Sequence, residues 1–230
     1  MAKKKLVVLT GAGISAESGL KTFRDADGLW EGHDVYEVAT PRGFAKDPQL
    51  VLNFYNMRRK DVAAVTPNGA HIGLAALEND FDVTIITQNI DDLHERGGSS
   101  KVVHLHGSIF RMRSVKNDVV NFPIFGDIAV GDLAEDGGQL RPDIVWFEEL
   151  VPMIETAAEI IRSAEIFVVI GTSLVVYPAA SLVNYAHWQI PKFIVDKSIP
   201  YTQSLFNLTA IEKPATQGVK MLQDILKNHL

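Results

Sequence analysis

The chain has 230 residues, 47% of them hydrophobic, which is enough for one substantial core and a smaller satellite core. The formal net charge of −6 argues against nucleic acid as the main partner, and the absence of cysteine excludes a disulfide framework, a thiolate nucleophile and a cysteine-ligated zinc site. No apolar stretch approaches the roughly 20 residues needed to span a bilayer, so we expect no membrane span. The apolar run after Lys5 ends at Thr10 and Gly11 after four residues, so we expect no signal peptide, and the absence of cysteine fits a cytoplasmic location.

The first predicted element is a buried strand that leads into a glycine-rich loop. Lys5 is followed by four apolar residues and then by Thr10-Gly11-Ala12-Gly13, a pattern typical of a parallel strand that ends in a tight turn. Gly11 and Gly13 permit close approach of a ligand, and a following helix start offers N–H groups to a pyrophosphate. The pattern indicates a nucleotide site, with a plain tight turn as the alternative.

The segment after this loop lacks the second strand that an ordinary dinucleotide fold would supply, ending in Asp or Glu roughly 20 residues on. Residues 22–32 are polar and punctuated by glycine, which predicts a loop. Because the loop carries Phe23, Arg24 and Trp30 beside a phosphate site, we interpret it as a cover over a reacting ligand. A solvated connection is the alternative.

Two helices are predicted next, over 47–65 and 68–77, from their apolar spacing and capping residues. In the first of them Tyr55 and Arg58 are three residues apart and share one helix face. Such a pair can grip a carboxylate, since the guanidinium donates two parallel hydrogen bonds and the phenol a third. An exposed amphipathic face with Arg58 and Arg59 in solvent is the alternative.

The rest of the chain alternates strands with helices, which predicts an α/β fold: a Rossmann-like parallel sheet with helices on both faces. The segment Arg111–Arg141 interrupts this alternation with short β-like pieces and a Gly/Asp-rich stretch, so we expect a small inserted module there. The further strands are expected at 81–87, 101–105, 164–170 and 192–195, and the further helices at about 152–163, 178–188 and 215–228.

Polar residues follow four of the predicted strands. Ligands of parallel sheets bind beyond the carboxyl ends of the strands, so these side chains are expected to share one cleft with the Gly11 loop. The residues concerned are Gln88, Asn89, Asp91, His94, His104, His106, Gly171, Thr172, Ser173 and Asp196.

Six motifs in chain order resemble those of the sirtuin family, NAD-dependent protein lysine deacylases. They are Gly-Ala-Gly-Ile-Ser-Ala-Glu-Ser-Gly at 11–19, Thr-Phe-Arg at 22–24, Thr-Gln-Asn-Ile-Asp at 87–91, Leu-His-Gly at 105–107, Arg-Pro-Asp-Ile-Val-Trp-Phe at 141–147 and Gly-Thr-Ser-Leu at 171–174. The resemblance implies a cleft that holds NAD and an acyl-lysine peptide between two domains. The Rossmann-like domain would comprise 1–24, 71–109 and 141–230, and the small domain 25–70 and 110–140.

The resemblance also implies roles for individual residues. His106 would be the general base, acting through the NAD ribose after the acyl oxygen has displaced nicotinamide, and Asn89 would be catalytic with it. Asp196 stands where the family usually has Asn beside the adenosine ribose, a change expected to be tolerated and to disfavour a 2′-phosphate. The residues expected at NAD are Gly11, Ala12, Gly13, Ser15, Phe23, Arg24, Gln88, Asn89, Asp91, Gly171, Thr172, Ser173 and Asp196.

The resemblance also implies that Tyr55 and Arg58 bind an acidic acyl group, because this pair marks sirtuins that remove succinyl, malonyl or glutaryl groups from lysine. Val145, Phe147 and Glu149 are the other residues expected at the substrate. The implied reaction is deacetylation together with desuccinylation or demalonylation of protein lysines, releasing nicotinamide and O-acyl-ADP-ribose. The target proteins and the preferred acyl group stay open, and a monomer is favoured.

Two departures limit the resemblance. Most sirtuins hold zinc between Leu-His-Gly and Arg-Pro, whereas residues 111–141 contain neither Cys nor His, so no zinc is expected. Glu148 stands where the family has the glycine of Phe-Gly-Glu, which adds a charge in the segment that pairs with the substrate peptide. The zinc-less module is expected to rely on a small apolar core of Phe110, Val119, Phe122, Ile124 and Phe125.

Two other kinds of function stay open from the sequence. His104 and His106 alternate along a strand and could form a hydrolytic metal site with Asp91 or Asp92. A mono-ADP-ribosyltransferase or a non-catalytic NAD-responsive module could use the same cleft. The presence of Asn89 and His106 together favours catalysis.

Overall fold

The structure is a computed structural model, and it describes residues 2–22, 29–30, 32–124, 126–200 and 205–230. Its strands are β1 Lys5–Thr10, β2 Leu29–Trp30, β3 His33–Asp34, β4 Asp82–Thr87, β5 Val102–His104, β6 Gly107–Ser114, β7 Asn117–Pro123, β8 Leu140–Ile144, β9 Ile166–Ile170, β10 Lys192–Asp196 and β11 Leu208–Glu212.

Helices and 3₁₀ turns connect the strands. The α-helices are α1 Val35–Val38, α2 Pro41–Lys46, α3 Pro48–Ala64, α4 Gly69–Ala76, α5 Leu93–Arg96, α6 Ile154–Arg162 and α7 Ala215–Leu226. The 3₁₀ turns are Ala12–Ile14, Ala16–Ser18, Leu77–Asn79, Ala179–Tyr185 and Lys227–His229. None of the helices in the described part of the chain is long and apolar enough to cross a membrane.

Six parallel strands form the main sheet in the order β11-β10-β9-β1-β4-β5. Side chains alternate between the faces of a strand, and both faces are buried here. Leu6 and Val8 of β1 pack with α4 and α7, whereas Val7 and Leu9 pack with α6 and the 3₁₀ turn at 179–185. The prediction of a parallel sheet covered by helices on both faces is confirmed.

Local signals position the two helices that precede β4. Asp47 caps α3, since its carboxylate accepts a hydrogen bond from the N–H of Leu50 at 2.9 Å. Asn68 caps α4 in a capping box, in which its side chain accepts from Ala70 and its own N–H donates to His71 Nδ1. These helices were predicted to within a few residues.

Two predicted elements need correction, and one strand was missed. The segment at 178–188 is a 3₁₀ turn over Ala179–Tyr185, where the N–H of Ser181 donates to the carbonyl of Pro178 three residues earlier. The edge strand β11 was not predicted, because only Ile211 of its five residues is buried and its apolar pattern is weak. The predicted loop 22–32 contains β2, which pairs with β3 and buries Trp30.

The inserted module is an antiparallel sheet in the order β7-β6-β8, here called the small sheet. Its predicted core is wrong for Val119 and Phe122, which are 83% and 41% exposed because they lie on the edge strand β7. Ile124 is buried as predicted, together with Leu52 and Ile128. Phe110 packs with a different cluster, the one that contains Tyr55, and Phe125 lies outside the described residues.

Helix α3 therefore supplies the support that the small sheet lacks by itself. Leu52 of α3 packs against Ile124 and Ile128, which follow β7 of the small sheet. Two buried polar side chains of α3, Asn56 and Arg59, hold the loop that follows β7. Asn56 bonds both the N–H and the carbonyl of Ile128, at 3.0 and 2.9 Å. Arg59 donates to the carbonyls of Ile109 and Gly126, so this arginine is a buried anchor and not part of a solvated face.

A second polar anchor lies in the segment between β7 and β8. Gln139 Nε2 lies within 3.1 Å of the carbonyl oxygens of Ala129, Asp132 and Leu140, and its Oε1 accepts from Gly131 at 2.7 Å. This one amide side chain closes the turn between β7 and β8.

Replacing Gln139 with alanine is expected to lower the free energy of unfolding by about 1 kcal/mol, because net hydrogen-bond contributions near the surface are of that size. Urea titration followed by circular dichroism would measure the loss. The control is Glu135→Ala, which changes an exposed residue of the same segment. Equal effects of the two substitutions would contradict the role assigned to Gln139.

Candidate active site

A cleft of about 560 Å³ opens at the carboxyl ends of β1, β4, β9 and β10 and extends to α3. Most of the predicted site residues that the structure describes line this cleft, but His94 and His104 do not, and Phe23 and Arg24 lie outside the described residues. The residues that the structure brings together are Gly11, Ala12, Gly13, Ser15, Tyr55, Arg58, Gln88, Asn89, Asp91, His106, Val145, Phe147, Glu149, Gly171, Thr172, Ser173 and Asp196.

The glycines at one side of the cleft are needed for the packing of two loops. The N–H of Gly13 donates to the carbonyl of Gly171 at 2.8 Å, and a Cβ on Gly13 would lie 2.7 Å from the Cα of Gly171. Gly171 has a φ of +62°, and its own Cβ would lie 2.4 Å from the nitrogen of Ile14. A side chain at either position would therefore separate the loops that follow β1 and β9.

His106 lines the cleft and is held in one tautomer. Its Nδ1 lies 2.9 Å from the carbonyl oxygen of Gln88, which can only accept, so the neutral ring carries its proton on Nδ1. Nε2 is then left with a lone pair. Burial lowers the pKa of His106, although the bond to Gln88 opposes this, so the neutral form persists below the ordinary imidazole pKa.

His104 takes no part in the cleft lining, because both of its ring nitrogens are engaged elsewhere. Nδ1 lies 3.2 Å from the carbonyl of Asn89, and Nε2 lies 2.7 Å from a carboxylate oxygen of Glu95. Burial acts to lower the pKa of His104, but the hydrogen bond and charge of Glu95 raise it overall. These contacts argue against a metal site shared by His104 and His106, and the described residues contain no cluster of three metal-ligating side chains.

The side chain of Asn89 is held by two successive hydrogen bonds, through Ser15 to Asp91. Its amide Nδ2 donates to Ser15 Oγ at 3.1 Å, and Ser15 Oγ donates to Asp91 Oδ2 at 3.0 Å. The other carboxylate oxygen of Asp91 accepts from the N–H of Leu93. Burial raises the pKa of Asp91, with these hydrogen bonds opposing it. The amide of Asn89 is thus held at a defined position in the cleft that His106 also lines.

Two buried histidines lie behind this group, with their ring centroids 5.0 Å apart. His71 Nε2 lies 3.5 Å from Ser15 Oγ, and His94 Nε2 lies 3.0 Å from Thr10 Oγ1. Burial lowers the pKa of His71 to about 4 and that of His94 to about 3, so both are neutral at pH 7. His94 was expected in the cleft and is instead behind it. The position of His71 was not predicted, since its only signal was the capping pattern with Asn68.

Tyr55 and Arg58 face the cleft from α3 and are both buried, so the alternative of a solvated helix face is wrong. The hydroxyl of Tyr55 accepts a hydrogen bond from Trp146 Nε1 at 3.0 Å. Burial raises the pKa of Tyr55, which keeps its proton available for donation. The guanidinium carbon of Arg58 lies 5.3 Å from the ring centroid of Trp30, in a cation–π contact.

The carboxylate of Glu149 is engaged with its own chain. It accepts from Arg141 Nη1 and Nη2 at 2.6 and 3.1 Å and from the N–H of Trp146 at 2.8 Å. Arg141 also stacks on Trp146, with its guanidinium carbon 3.2 Å from the ring centroid. Glu149 and Arg141 together hold the segment after β8 against the cleft, an arrangement that the separate motifs did not predict.

The adjoining Glu148 has a conformation that explains why glycine suits this position. Its φ is 72°, in the left-handed region that costs an L-residue about 1–2 kcal/mol. Its carboxylate forms a forked ion pair with Arg42 of α2, at 2.5 and 3.1 Å. The two side chains are 41% and 74% exposed, and such pairs are typically worth less than about 1 kcal/mol. The ion pair therefore does not offset the backbone cost.

Hydrogen bonds also fix the polar side chains of Gln88 and Asp196 in the cleft. Gln88 Nε2 donates to Thr172 Oγ1 at 3.2 Å, which joins the ends of β4 and β9. Asp196 ends β10, and one of its carboxylate oxygens accepts from the N–H of Ser198 at 3.1 Å. These side chains offer hydroxyl, amide and carboxylate groups along the same wall as the glycine loops.

The chain was compared with known protein families and structures. A model of the Sir2 family matches residues 11–178. NAD-dependent protein deacylases of Helicobacter pylori and Bacteroides thetaiotaomicron are 51% and 49% identical to the chain over 223 and 229 residues. The matches cover 97% of this chain in each case, and 96% and 98% of the relatives.

Two solved structures show the same likeness. One is a complex of a Sir2 homologue with NAD, with a TM-score of 0.86 and 36% identity, covering 99% of this chain and 91% of that one. The other is a complex of Sir2 with a p53 peptide and NAD⁺, with a TM-score of 0.78 and 28% identity, covering 98% and 95%. The resemblance found from the sequence motifs is confirmed, and the chain belongs to the Sir2 family.

Proposed function

We propose that this chain is an NAD-dependent protein deacylase that removes acyl groups from protein lysines and releases nicotinamide and O-acyl-ADP-ribose. One observation carries the proposal: His106 has its lone pair on Nε2, and it lines the same cleft as an Asn89 amide that bonds to Ser15, which in turn bonds to Asp91. Relatives of about 50% identity bear the name NAD-dependent protein deacylase. Sequence family, fold and site chemistry thus support the same activity.

The donor set of the cleft fits NAD. Hydroxyls and amides suit ribose and phosphate oxygens, and a carboxylate can accept from ribose hydroxyls. When bound, NAD supplies an electrophilic ribose carbon that receives the acyl oxygen as nicotinamide leaves. The residues proposed to hold it are Gly11, Ala12, Gly13, Ser15, Phe23, Arg24, Gln88, Asn89, Asp91, Gly171, Thr172, Ser173 and Asp196.

The residues of the chain have separate tasks in this proposal. His106 accepts a ribose hydroxyl proton at Nε2, since the bond of Nδ1 to Gln88 leaves that atom basic. Asn89 and Asp91 orient the nicotinamide end, because their side chains share the fixed hydroxyl of Ser15. Asp196 accepts from the adenosine ribose hydroxyls and, by its charge, disfavours a 2′-phosphate.

The acyl group is proposed to be acidic, such as succinyl, malonyl or glutaryl, in addition to acetyl. Arg58 provides a guanidinium within the cleft, and Tyr55 can donate its hydroxyl proton because its oxygen already accepts from Trp146. A buried carboxylate needs such charged and hydrogen-bonding partners. Val145 and Phe147 line the cleft nearby and are proposed to contact the acyl-lysine chain, with Glu149 holding their segment in place.

Several broader properties are part of the proposal. The NAD-binding domain comprises 1–24, 71–109 and 141–230, and the small domain comprises 25–70 and 110–140. The substrates are acyl-lysine proteins or peptides and not nucleic acid, which the net charge of −6 supports. The protein acts as a cytoplasmic monomer.

Incubation of the purified protein with NAD and an acetyl-lysine or succinyl-lysine peptide tests the activity. Mass spectrometry should detect nicotinamide and O-acyl-ADP-ribose in equal amounts, with no product when NAD is omitted. Labelled protein without free O-acyl-ADP-ribose would instead indicate a mono-ADP-ribosyltransferase. Hydrolysis that needs no NAD and stops in chelator would indicate the metal-dependent alternative.

A further inference from the structure

Glu148 places a carboxylate at the cleft without an evident benefit to stability. Its residue occupies the left-handed backbone region, and its exposed ion pair with Arg42 does not compensate for that conformation. A strained residue beside an active site is a reason to look for a function. The carboxylate is therefore to be explained by what it does in the cleft.

The ion pair has a direction with respect to the cleft. Glu148 lines the cleft and Arg42 does not, so the acidic residue of the pair is the one that lies at the cleft. Arg42 uses one hydrogen bond to each carboxylate oxygen, at 2.5 and 3.1 Å. Each oxygen keeps a second lone pair for another donor. The fork also fixes the carboxylate in place, so a second cation can bind without displacing the first.

The other acidic side chains in this part of the cleft are already occupied. Glu149 is neutralised by Arg141, and Asp91 accepts from Ser15 and from the N–H of Leu93. Glu148 is also paired, with Arg42, but its side chain is 41% exposed, whereas that of Glu149 is 20% exposed and Asp91 is buried, so Glu148 has the most accessible carboxylate of the three. An incoming cationic side chain would meet this group first.

Apolar surface adjoins the carboxylate. Tyr36 is 62% exposed, and its ring centroid lies 6.4 Å from that of Phe147. The aliphatic stem of an arginine or lysine can cover such rings while its charged end reaches a carboxylate. The surface beside Glu148 therefore suits a long cationic side chain better than a short polar one.

We infer that Glu148 makes the enzyme select acyl-lysine sites that have an arginine or lysine next to the acyl-lysine. This inference rests on the proposed deacylase function and names the class of peptide which that site accepts. The chemistry is a charge-assisted hydrogen bond from the peptide cation to a carboxylate already oriented by Arg42.

The test uses acetyl-lysine and succinyl-lysine peptides in which a single residue is Arg, Gln or Glu. This residue is moved through the two positions on each side of the acyl-lysine. We expect at least one position where Arg exceeds Glu by threefold to tenfold in kcat/KM, and we expect this preference to fall below twofold in Glu148→Gln. Glu148→Gly separates charge from backbone conformation, because it should lose the preference as completely as the glutamine variant.

Asp82→Asn is the matched control, since Asp82 forms an ion pair with Lys101 and is 40% exposed at the opposite end of β4. Asp82→Asn changes the net charge by the same amount as Glu148→Gln and should keep the full preference for Arg over Glu in the peptide. A wild-type enzyme that turns over all the peptides without a charge preference would overturn the inference and leave the deacylase function intact. The same holds if the preference survives in Glu148→Gln. Failure to turn over any acyl peptide would instead refute the proposed function itself.

Discussion

Replacing His106 with alanine is expected to lower kcat for deacylation by about 10²- to 10⁴-fold, the usual contribution of a positioned general base. The Nδ1 bond to Gln88 leaves Nε2 as the basic atom, and no other imidazole lines the cleft within the described residues. The release of nicotinamide and O-acyl-ADP-ribose from a succinyl-lysine peptide measures the loss. Thermal stabilisation of the variant by NAD should persist, because the hydroxyl and amide groups proposed to hold NAD remain.

His104→Gln is the matched control, two residues away in the same segment. Its ring bonds Glu95 and a backbone carbonyl and does not line the cleft, so we expect no more than a threefold loss of kcat. The hypothesis of a metal site shared by the two histidines makes the opposite prediction. If both variants lost activity equally and added metal restored it, the general-base role of His106 would be wrong.

Replacing Arg58 with methionine is expected to lower kcat/KM for desuccinylation ten- to a hundredfold, about 1.4–2.8 kcal/mol of transition-state stabilisation. The substrate carboxylate would lose a charged partner within the cleft, while Trp30 and Tyr55 would keep the pocket largely apolar. Deacetylation should change by less than threefold, since an acetyl group presents no carboxylate. Parallel assays with acetyl- and succinyl-lysine forms of one peptide give the ratio directly.

Lys60→Met controls for the removal of a positive charge from the same helix. Lys60 is 68% exposed and pairs with Asp127, so both activities should be retained. Tyr55→Phe should produce a smaller loss of desuccinylation than Arg58→Met, because it removes one neutral donor and leaves Trp146 Nε1 without its acceptor. Equal loss of both activities in Arg58→Met would indicate a structural role and refute the acidic-acyl pocket.

The strands of the main sheet were largely predictable, and β11 shows why the prediction was incomplete. Strands β1, β9 and β10 are buried on both faces and contain continuous apolar runs, whereas β4 combines Val83, Ile85 and Ile86 with β-branched threonines. Strand β11 lies at the edge and buries little, so its sequence carries no comparable signal. Exposure of β7 likewise explains why Val119 and Phe122 are not the core of the small sheet.

The candidate site was predictable where polar residues follow strands. Asn89 and His106 could be assigned to one cleft because parallel strands end at the same edge of the sheet. Their partners could not, since the fixed hydroxyl of Ser15 and the carbonyl of Gln88 depend on side-chain directions that spacing does not specify. The buried pair His71 and His94 comes together only through packing of α4 against α5.

By itself, the sequence determined the fold class, the family and half of the residues that line the cleft, because these follow from apolar patterning and local motifs. Tertiary structure alone decided that Arg58 is buried in the cleft, that His104 is turned away from it and that the carboxylate of Glu149 is occupied by Arg141. It also decided that Glu148 faces the cleft from a left-handed conformation. The physical reason is that burial and hydrogen-bond partners are set by contacts between distant segments, which no local pattern encodes.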